Sequence, residues 1–410
     1  VATKEIQMSI KAGELIHVGG GGVLVDRIQT GGPGQVNINT EKIYELGNRE
    51  STGIVRDTPD LTFSLESFDV STEIEAMLLN GDFGTDAAGT EYDISQALPL
   101  NVLSQFRAAK TALAPDNVVG SVVIPYLTLE SLSYRFGIRD NAGINASLRG
   151  DGLYYAEASA FSDEAVGTAT PNQTVAFTNT PIEYNGDSVA GTRYALAVTI
   201  VETGERLTPG VDYTETVTEI TVLEAVPVTS TIRIAYQSAV IATYPQAVHP
   251  VASATRPAAV RGRDIEVRIG GLTINDRWSS VQSVNVDWRV QLDPDEELGN
   301  ANIVAQDFDV AEVTGSVQVK PRDFAELIAR VKQTAGVVGN ESVGPLTATP
   351  LEIEIIIHSP ADGAALKTLY IPDAELSLPG YSGQVQQKLT VDFQFESRGG
   401  TLLVYNGAKP

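Results

Sequence analysis

Four consecutive glycines, Gly19–Gly22, are the first residues in this chain with a spacing that could do chemistry, since successive backbone N–H groups can cradle a phosphate. A phosphate loop also needs Gly-Lys-Ser/Thr and a following helix; neither is present, so the run reads as a flexible loop. His17, His249 and His358 lie far apart without paired ligand spacing, which makes them structural or solvated rather than metal-binding. "LDPDEELGN" (Leu292–Asn300) is acidic enough for calcium but lacks the alternating carboxylates of a calcium loop, so a solvated turn is expected. No two of the 52 Asp and Glu residues are compelled to converge as a glycosidase pair, and no Gly-x-Ser-x-Gly elbow presents a nucleophile. The absence of cysteine excludes thiolate catalysis, cysteine-ligated metals and disulfides. Trp278 and Trp288 read as core or interface anchors. The expectation is a non-enzymatic protein with no catalytic residue, cofactor or metal.

The elements that carry these residues are mostly strands. "DIEVRIGG" (Asp264–Gly271), "LEIEIII" (Leu351–Ile357) and "VDFQFES" (Val391–Ser397) alternate with period two, which buries one face and wets the other. The chain has 410 residues, 42% of them hydrophobic, which suits two or three domains. No apolar run is long enough to span a bilayer, and Val1–Ile10 lacks a basic-then-apolar leader, so neither a membrane segment nor a secretory leader is expected. A net charge of −24 opposes binding to nucleic acid through its phosphates.

One unit recurs. In "PDLTFSLESFDVSTEIEAMLLNG" (Pro59–Gly81), Leu61, Phe63 and Leu65 alternate along a strand, and Thr72 with Glu75 predicts a capping box. Ile74, Met77 and Leu78 form the packing face of the helix that follows. In "AEVTGSVQVKPRDFAELIARVKQTAG" (Ala311–Gly336), a strand through Val317 and Val319 leads to a helix packing through Phe324, Leu327, Ile328 and Val331. Collinear matches accompany the two blocks. Asp26–Ile28 answers Asp276–Trp278, Val36–Ile38 answers Val284–Val286, and "ELGN" at Glu45–Asn48 recurs at Glu297–Asn300. "IP" at Ile124–Pro125 recurs at Ile371–Pro372, and "RG" at Arg149–Gly150 recurs at Arg398–Gly399, with shifts between 247 and 252 positions throughout. A period this long predicts duplicated domains rather than a solenoid.

The predicted fold is mainly β with a few short helices: two tandem β-sandwich or barrel domains, 1–161 and 256–410, and an inserted immunoglobulin-like β-sandwich at 168–242. "SDEAVGTATPN" and "YPQAVHPVASATRPAA" read as linkers around the insert.

The blocks Glu45–Gly81 and Glu297–Gly336, used twice around a surface sandwich, resemble the major tail tube proteins of phages. The resemblance implies stacked rings forming a hollow conduit for DNA, each domain adding strands to an inner barrel with its helix outside. Two fused domains imply trimeric rings of pseudo-sixfold symmetry. It further implies tape-measure, terminator and tip or baseplate proteins as partners, DNA passing without specific binding, synthesis in the host cytoplasm and a final place in the virion. An outward insert favours a long non-contractile tail. On the wet faces, Glu66, Gln318, Glu352, Glu354 and Asp392 are candidate lumen residues. The glycine-rich stretch His17–Val36, with Gly19, Gly20, Gly21 and Gly22, is a candidate inter-ring loop. Alternatives remain open at this point: a secreted or surface β-sandwich binding protein, a terminator or baseplate ring protein, or a carbohydrate-active enzyme.

Overall fold

In a computed structural model the described residues are 14–18, 23–24, 28–33, 40–43, 53–56, 60–68, 71–80, 87–107, 118–138, 140–156, 159–166, 169–183, 193–239, 260–274, 279–295, 305–321, 350–377, 380–382 and 389–410. They are mainly β, with one α-helix. Alternation is what the packing selects: Leu61, Phe63 and Leu65 are buried while Thr62 and Ser64 are exposed.

The first unit opens with β1 (Glu14–Val18), β2 (Val23–Leu24), β3 (Ile28–Pro33), the hairpin β4 (Thr40–Ile43) and β5 (Gly53–Arg56), and β6 (Leu61–Ser67). Helix α1 (Glu73–Asn80) and β7 (Glu91–Asp93) follow, then β8 (Leu100–Arg107), β9 (Val118–Gly137), β10 (Gly143–Gly150) and β11 (Tyr154–Ala156). Strand β9 serves two sheets. Its first half pairs with β8 and β11, its second half with β10, and β10 pairs on to β6 and β3. The strand shifts register around Tyr126, a buried residue whose φ of 58° is costly for a side chain of this size.

The insert contributes β12 (Ser159–Ala165), β13 (Gln173–Ala176), β14 (Ala195–Ile200), β15 (Tyr213–Glu215), β16 (Glu219–Val222) and β17 (Thr231–Gln237). The second unit comprises β18 (Ile265–Ile269), β19 (Leu272–Thr273), β20 (Ser279–Arg289), β21 (Leu292–Asp295), β22 (Ala305–Phe308) and β23 (Glu312–Pro321). It ends with β24 (Leu351–His358), β25 (Ala365–Leu376), β26 (Gly380–Ser382), β27 (Thr390–Ser397) and β28 (Leu403–Asn406).

Pair for pair, the second unit repeats the first. The pairings β1–β2, β1–β8, β8–β9, β9–β11, β9–β10, β10–β6, β6–β3 and β4–β5 have their counterparts in β18–β19, β18–β24, β24–β25, β25–β28, β25–β27, β27–β23, β23–β20 and β21–β22. Register irregularities repeat as well. Shifts between Ile28/Thr30, Leu100/Val102 and Phe106/Arg107 recur between Val281/Ser283, Leu351/Ile353 and Ile357/His358. Bulges are specific local devices, and three at equivalent places show that the two units share one strand topology in detail.

This pairing corrects several of the sequence matches. Ile124 and Ile371 are equivalent, and "ELGN" falls between equivalent hairpin strands. Ile28, however, answers Val281 rather than Trp278, Gly31 rather than Val36 answers Val284, and Gly150 answers Ser397 rather than Gly399. One core substitution is reciprocal. Phe63 lies opposite Leu148 in the first unit, while Gly315 lies opposite Phe395 at the same place in the second, so the large ring has changed strands.

The units lie side by side. The second half of β9 pairs with β20 from Ser131–Arg289 to Gly137–Ser283, so β3, β6, β10, β9, β20, β23, β27 and β26 form one continuous antiparallel sheet. A second junction joins β7 of the first unit to β28 of the second. One hydrophobic core runs through both units, and Trp288 is buried in it.

In the insert, β12, β17 and β14 form one three-stranded sheet and β13, β16 and β15 another, closed over a shared core. Stretch 162–172, expected as a linker, instead begins inside β12, which pairs with β17 from Ser159 to Ala165. The apolar alternation that would have revealed this strand is diluted by Ser162, Asp163 and Glu164. Other sequence expectations shift too. Ile28–Pro33, assigned to a glycine-rich loop, is strand β3, and Leu292–Asp295, assigned to a turn, is strand β21.

Candidate assembly surface

Directly opposed residues in an antiparallel ladder point to the same side of the sheet, which fixes the composition of each face. Glu66 is opposite Asn145, Asn145 opposite Ser133, Ser133 opposite Asp287, Asp287 opposite Thr314, and Thr314 opposite Glu396. Gln318 is opposite Asp392. One face of the eight-stranded sheet is therefore polar from end to end and rich in Ser, Thr, Asn and Gln. The other face meets the core. Gln318 occupies in the second unit the place Glu66 holds in the first, and Asp392 the place of Asn145.

The structure parts the five candidate lumen residues. Glu66, Gln318 and Asp392 share the polar face, whereas Glu352 and Glu354 sit on β24, which pairs with β18 and β25 and is not one of the eight strands. There Lys409 Nζ lies 3.4 Å from Glu352 and 3.2 Å from Glu354, and Arg268 reaches Glu354 at 3.5 Å. Those two glutamates are half-buried members of an ion-pair network, a role that alternation alone cannot reveal. On the polar face, Arg149 binds Asp60 at 2.8 Å and Arg289 binds Glu312 at 2.9 Å, so part of its charge is locally neutralised.

Helix α1 is buried on nearly every side, with Ile74, Met77 and Leu78 in the core. Thr72 accepts the first helical bond from the N–H of Ala76. Glu75 does not complete the expected capping box. It is drawn inward, accepting a bond from the Tyr134 hydroxyl at 2.5 Å and pairing with Lys367 of β25. Lys367 also donates to the Ser71 carbonyl at 3.2 Å and lies 5.0 Å from the centre of the Tyr134 ring. The first unit's helix is thus pinned to the second unit's sheet by a wholly buried ion pair. Burial, then the neighbouring Glu75 carboxylate, pushes the Tyr134 hydroxyl well above its ordinary range. Phe324, Leu327, Ile328 and Val331 of the second helix and Gly19–Gly22 lie outside the described residues.

The insert is docked onto the first unit, not merely tethered. Leu103 and Val123 join its core, and Arg206 of the insert makes a buried 2.6 Å bond to Asp151. Arg206 also lies 5.5 Å from the centre of the Tyr126 ring, so the docking point coincides with the kink in β9.

His358 bonds the Gly363 carbonyl and Glu266, and among the described residues no group of three His, Asp or Glu could hold a metal. A groove of about 330 Å³ on the polar face is lined by Asn285, Asp287, Ser316, Gln394 and Glu396. Its two carboxylates stand on strands two apart, roughly 10 Å between backbones. Among the described residues, no helix is long and apolar enough to cross a membrane. No known family model matches the chain, and no curated protein is similar to it.

Proposed function

We propose that this chain is a structural, non-enzymatic subunit of a phage tail tube. Three copies close a ring of pseudo-sixfold symmetry, and rings stack into a conduit for DNA. The observation that carries this reading is the edge-to-edge placement of two equivalent units in one sheet. Such a chain is two steps of a repeating arrangement, with a strand edge at each end that no described strand pairs. A heterologous contact of this kind either propagates or closes into a ring, and closure removes the aggregation hazard of open edges. In this reading the polar face lines the lumen, with Glu66, Gln318 and Asp392 on it. Its hydroxyls and amides offer phosphates little attraction, and its acids repel them over a Debye length of about 8 Å. The docked insert decorates the outside, which fits a non-contractile tail. Tape-measure, terminator and tip proteins are the expected partners, with synthesis in the host cytoplasm and final residence in the virion.

Electron microscopy of the purified protein tests the reading. Stacked rings or tubes are expected. Single rings that never stack would point to a terminator or baseplate role, and monomers at high concentration would overturn it. Within assembled tails, Glu66→Lys with Asp392→Lys should leave tubes intact and slow DNA ejection; unchanged ejection would remove these residues from the lumen.

A further inference from the structure

We infer that the next copy of this chain adds its β3 to the free edge of β26 in the register that β9 and β20 already use within the chain. This rests on the ring-forming reading above and gives it residue-level contacts.

The internal repeat supplies the template. The correspondence that superposes the pairings of the two units places Tyr381 at the position of Tyr134, where each lies opposite an apolar β-branched residue, Val391 and Ile144 respectively. It places Pro33 at the position of Val286 and Gly32 at that of Asn285. Inside the chain Tyr134 lies opposite Val286, and Arg135 opposite Asn285. Applied once more, the same step sets Tyr381 of one copy opposite Pro33 of the next, and Ser382 opposite Gly32. Among the described residues, no strand pairs with the outer edge of β3 or of β26, the two ends of the eight-stranded sheet. Pro33 has no N–H and costs the junction at most one ladder bond.

A second relation points the same way. Val404 on β28 is buried, and β7 of the preceding unit pairs beside it. Its counterpart Tyr155 on β11 is 70% exposed. Inside the chain the first unit supplies both the β9 edge and the β7 strand to the second. Among the described residues, the unpaired outer edge of β3 and the exposed Tyr155 both lie on the first unit, so both call for a neighbour's second unit. That is one head-to-tail contact, with a second copy of this chain as the partner.

The chain has no cysteine, so introduced thiols report cleanly. Pro33→Cys combined with Tyr381→Cys, assembled and then mildly oxidised, should give a ladder of covalent oligomers on a non-reducing gel. Within one chain the two sites are seven strand spacings apart, roughly 34 Å, too far for a disulfide. Pro33→Cys with Ser382→Cys moves the second thiol to the other face of the sheet and should crosslink at least about tenfold less. Assemblies that form with neither pair crosslinking, or with the second pair favoured, overturn this register and leave the tube reading standing. Wild-type protein that makes no rings overturns both. Should the variants not assemble, hydrogen exchange of the wild-type chain decides: Ile28–Pro33 and Gly380–Ser382 should gain protection on assembly, and unchanged exchange would refute the contact.

Discussion

Lys367 of the second unit and Glu75 of the first, 292 residues apart in the chain, form an ion pair in which neither side chain is exposed. Such a pair is a weak source of net stability, because desolvation offsets its attraction, but it is costly to break from one side. Lys367→Met should therefore destabilise the protein by about 3–5 kcal/mol by leaving the carboxylate stranded. Adding Glu75→Leu should recover most of that loss. Urea denaturation of the two single variants and the double variant measures the cycle, and a cost below about 1 kcal/mol for Lys367→Met would show that the pair is not what pins helix α1.

Gly315 lies where Phe63 lies in the first unit, and the Phe395 ring fills the space. A Cβ at 315 would come within 2.2 Å of that ring and 2.4 Å of the Asn285 carbonyl oxygen. Gly315→Ala is expected to cost about 1–3 kcal/mol through overpacking, although the site adjoins a polar surface. A neutral result in thermal unfolding would mean that β23 can move away from β20.

Burial pushes the Tyr126 hydroxyl from its ordinary 10 up to about 12, and the coulombic pull of Arg206 only partly offsets that rise. A raised value means that the folded state holds its proton while the unfolded chain has already lost one. The associated stability is thus fully present below pH 10 and lost as pH rises from 10 towards 12. A rise from 10 to about 12 corresponds to about 3 kcal/mol. Tyrosinate absorbance should show late ionisation in the wild type, and Tyr126→Phe should make the fall in stability over this window less steep, Tyr134, Tyr213 and Tyr405 being raised as well. An unchanged slope in that variant would assign the alkaline loss to other tyrosines.

Arg206 and Asp151 join the insert to the first unit, each nearly inaccessible. Arg206→Met should undock the insert at a cost of about 3–5 kcal/mol, because it removes one member of a buried ion pair. Limited proteolysis would then release the insert early, while the paired units stay resistant. Equal cleavage rates in wild type and variant would mean that the apolar contacts at Leu103 and Val123 suffice for docking.

Much of this architecture is visible before any coordinates. Period-two alternation locates β6, β24 and β27, because a half-buried strand must alternate. The repeat is visible in "IP" and "ELGN", which the strand pairing places at equivalent positions. The shared "VNI"/"VNV" and "RG" motifs are displaced from the equivalent positions by five and two residues, since insertions between strands move a motif without moving the fold. β3 was hidden by Gly31 and Gly32, which carry no alternating signal, and β12 by its charged residues.

The sequence by itself determined the class of the protein: a mainly β chain built twice from one unit, interrupted by a further β-rich segment, without cysteine and strongly acidic. Those properties are local or compositional, and they survive without knowing which strands meet. Only the tertiary structure decided that Glu75 turns inward to Lys367 rather than back to cap its helix, that Glu352 and Glu354 leave the polar face on which Glu66, Gln318 and Asp392 lie, and that β9 of one unit adopts β20 of the other. Each of these depends on partners from 55 to 292 residues away, and a side chain's local pattern carries no record of the distant group that will neutralise it or the distant edge that will pair with it.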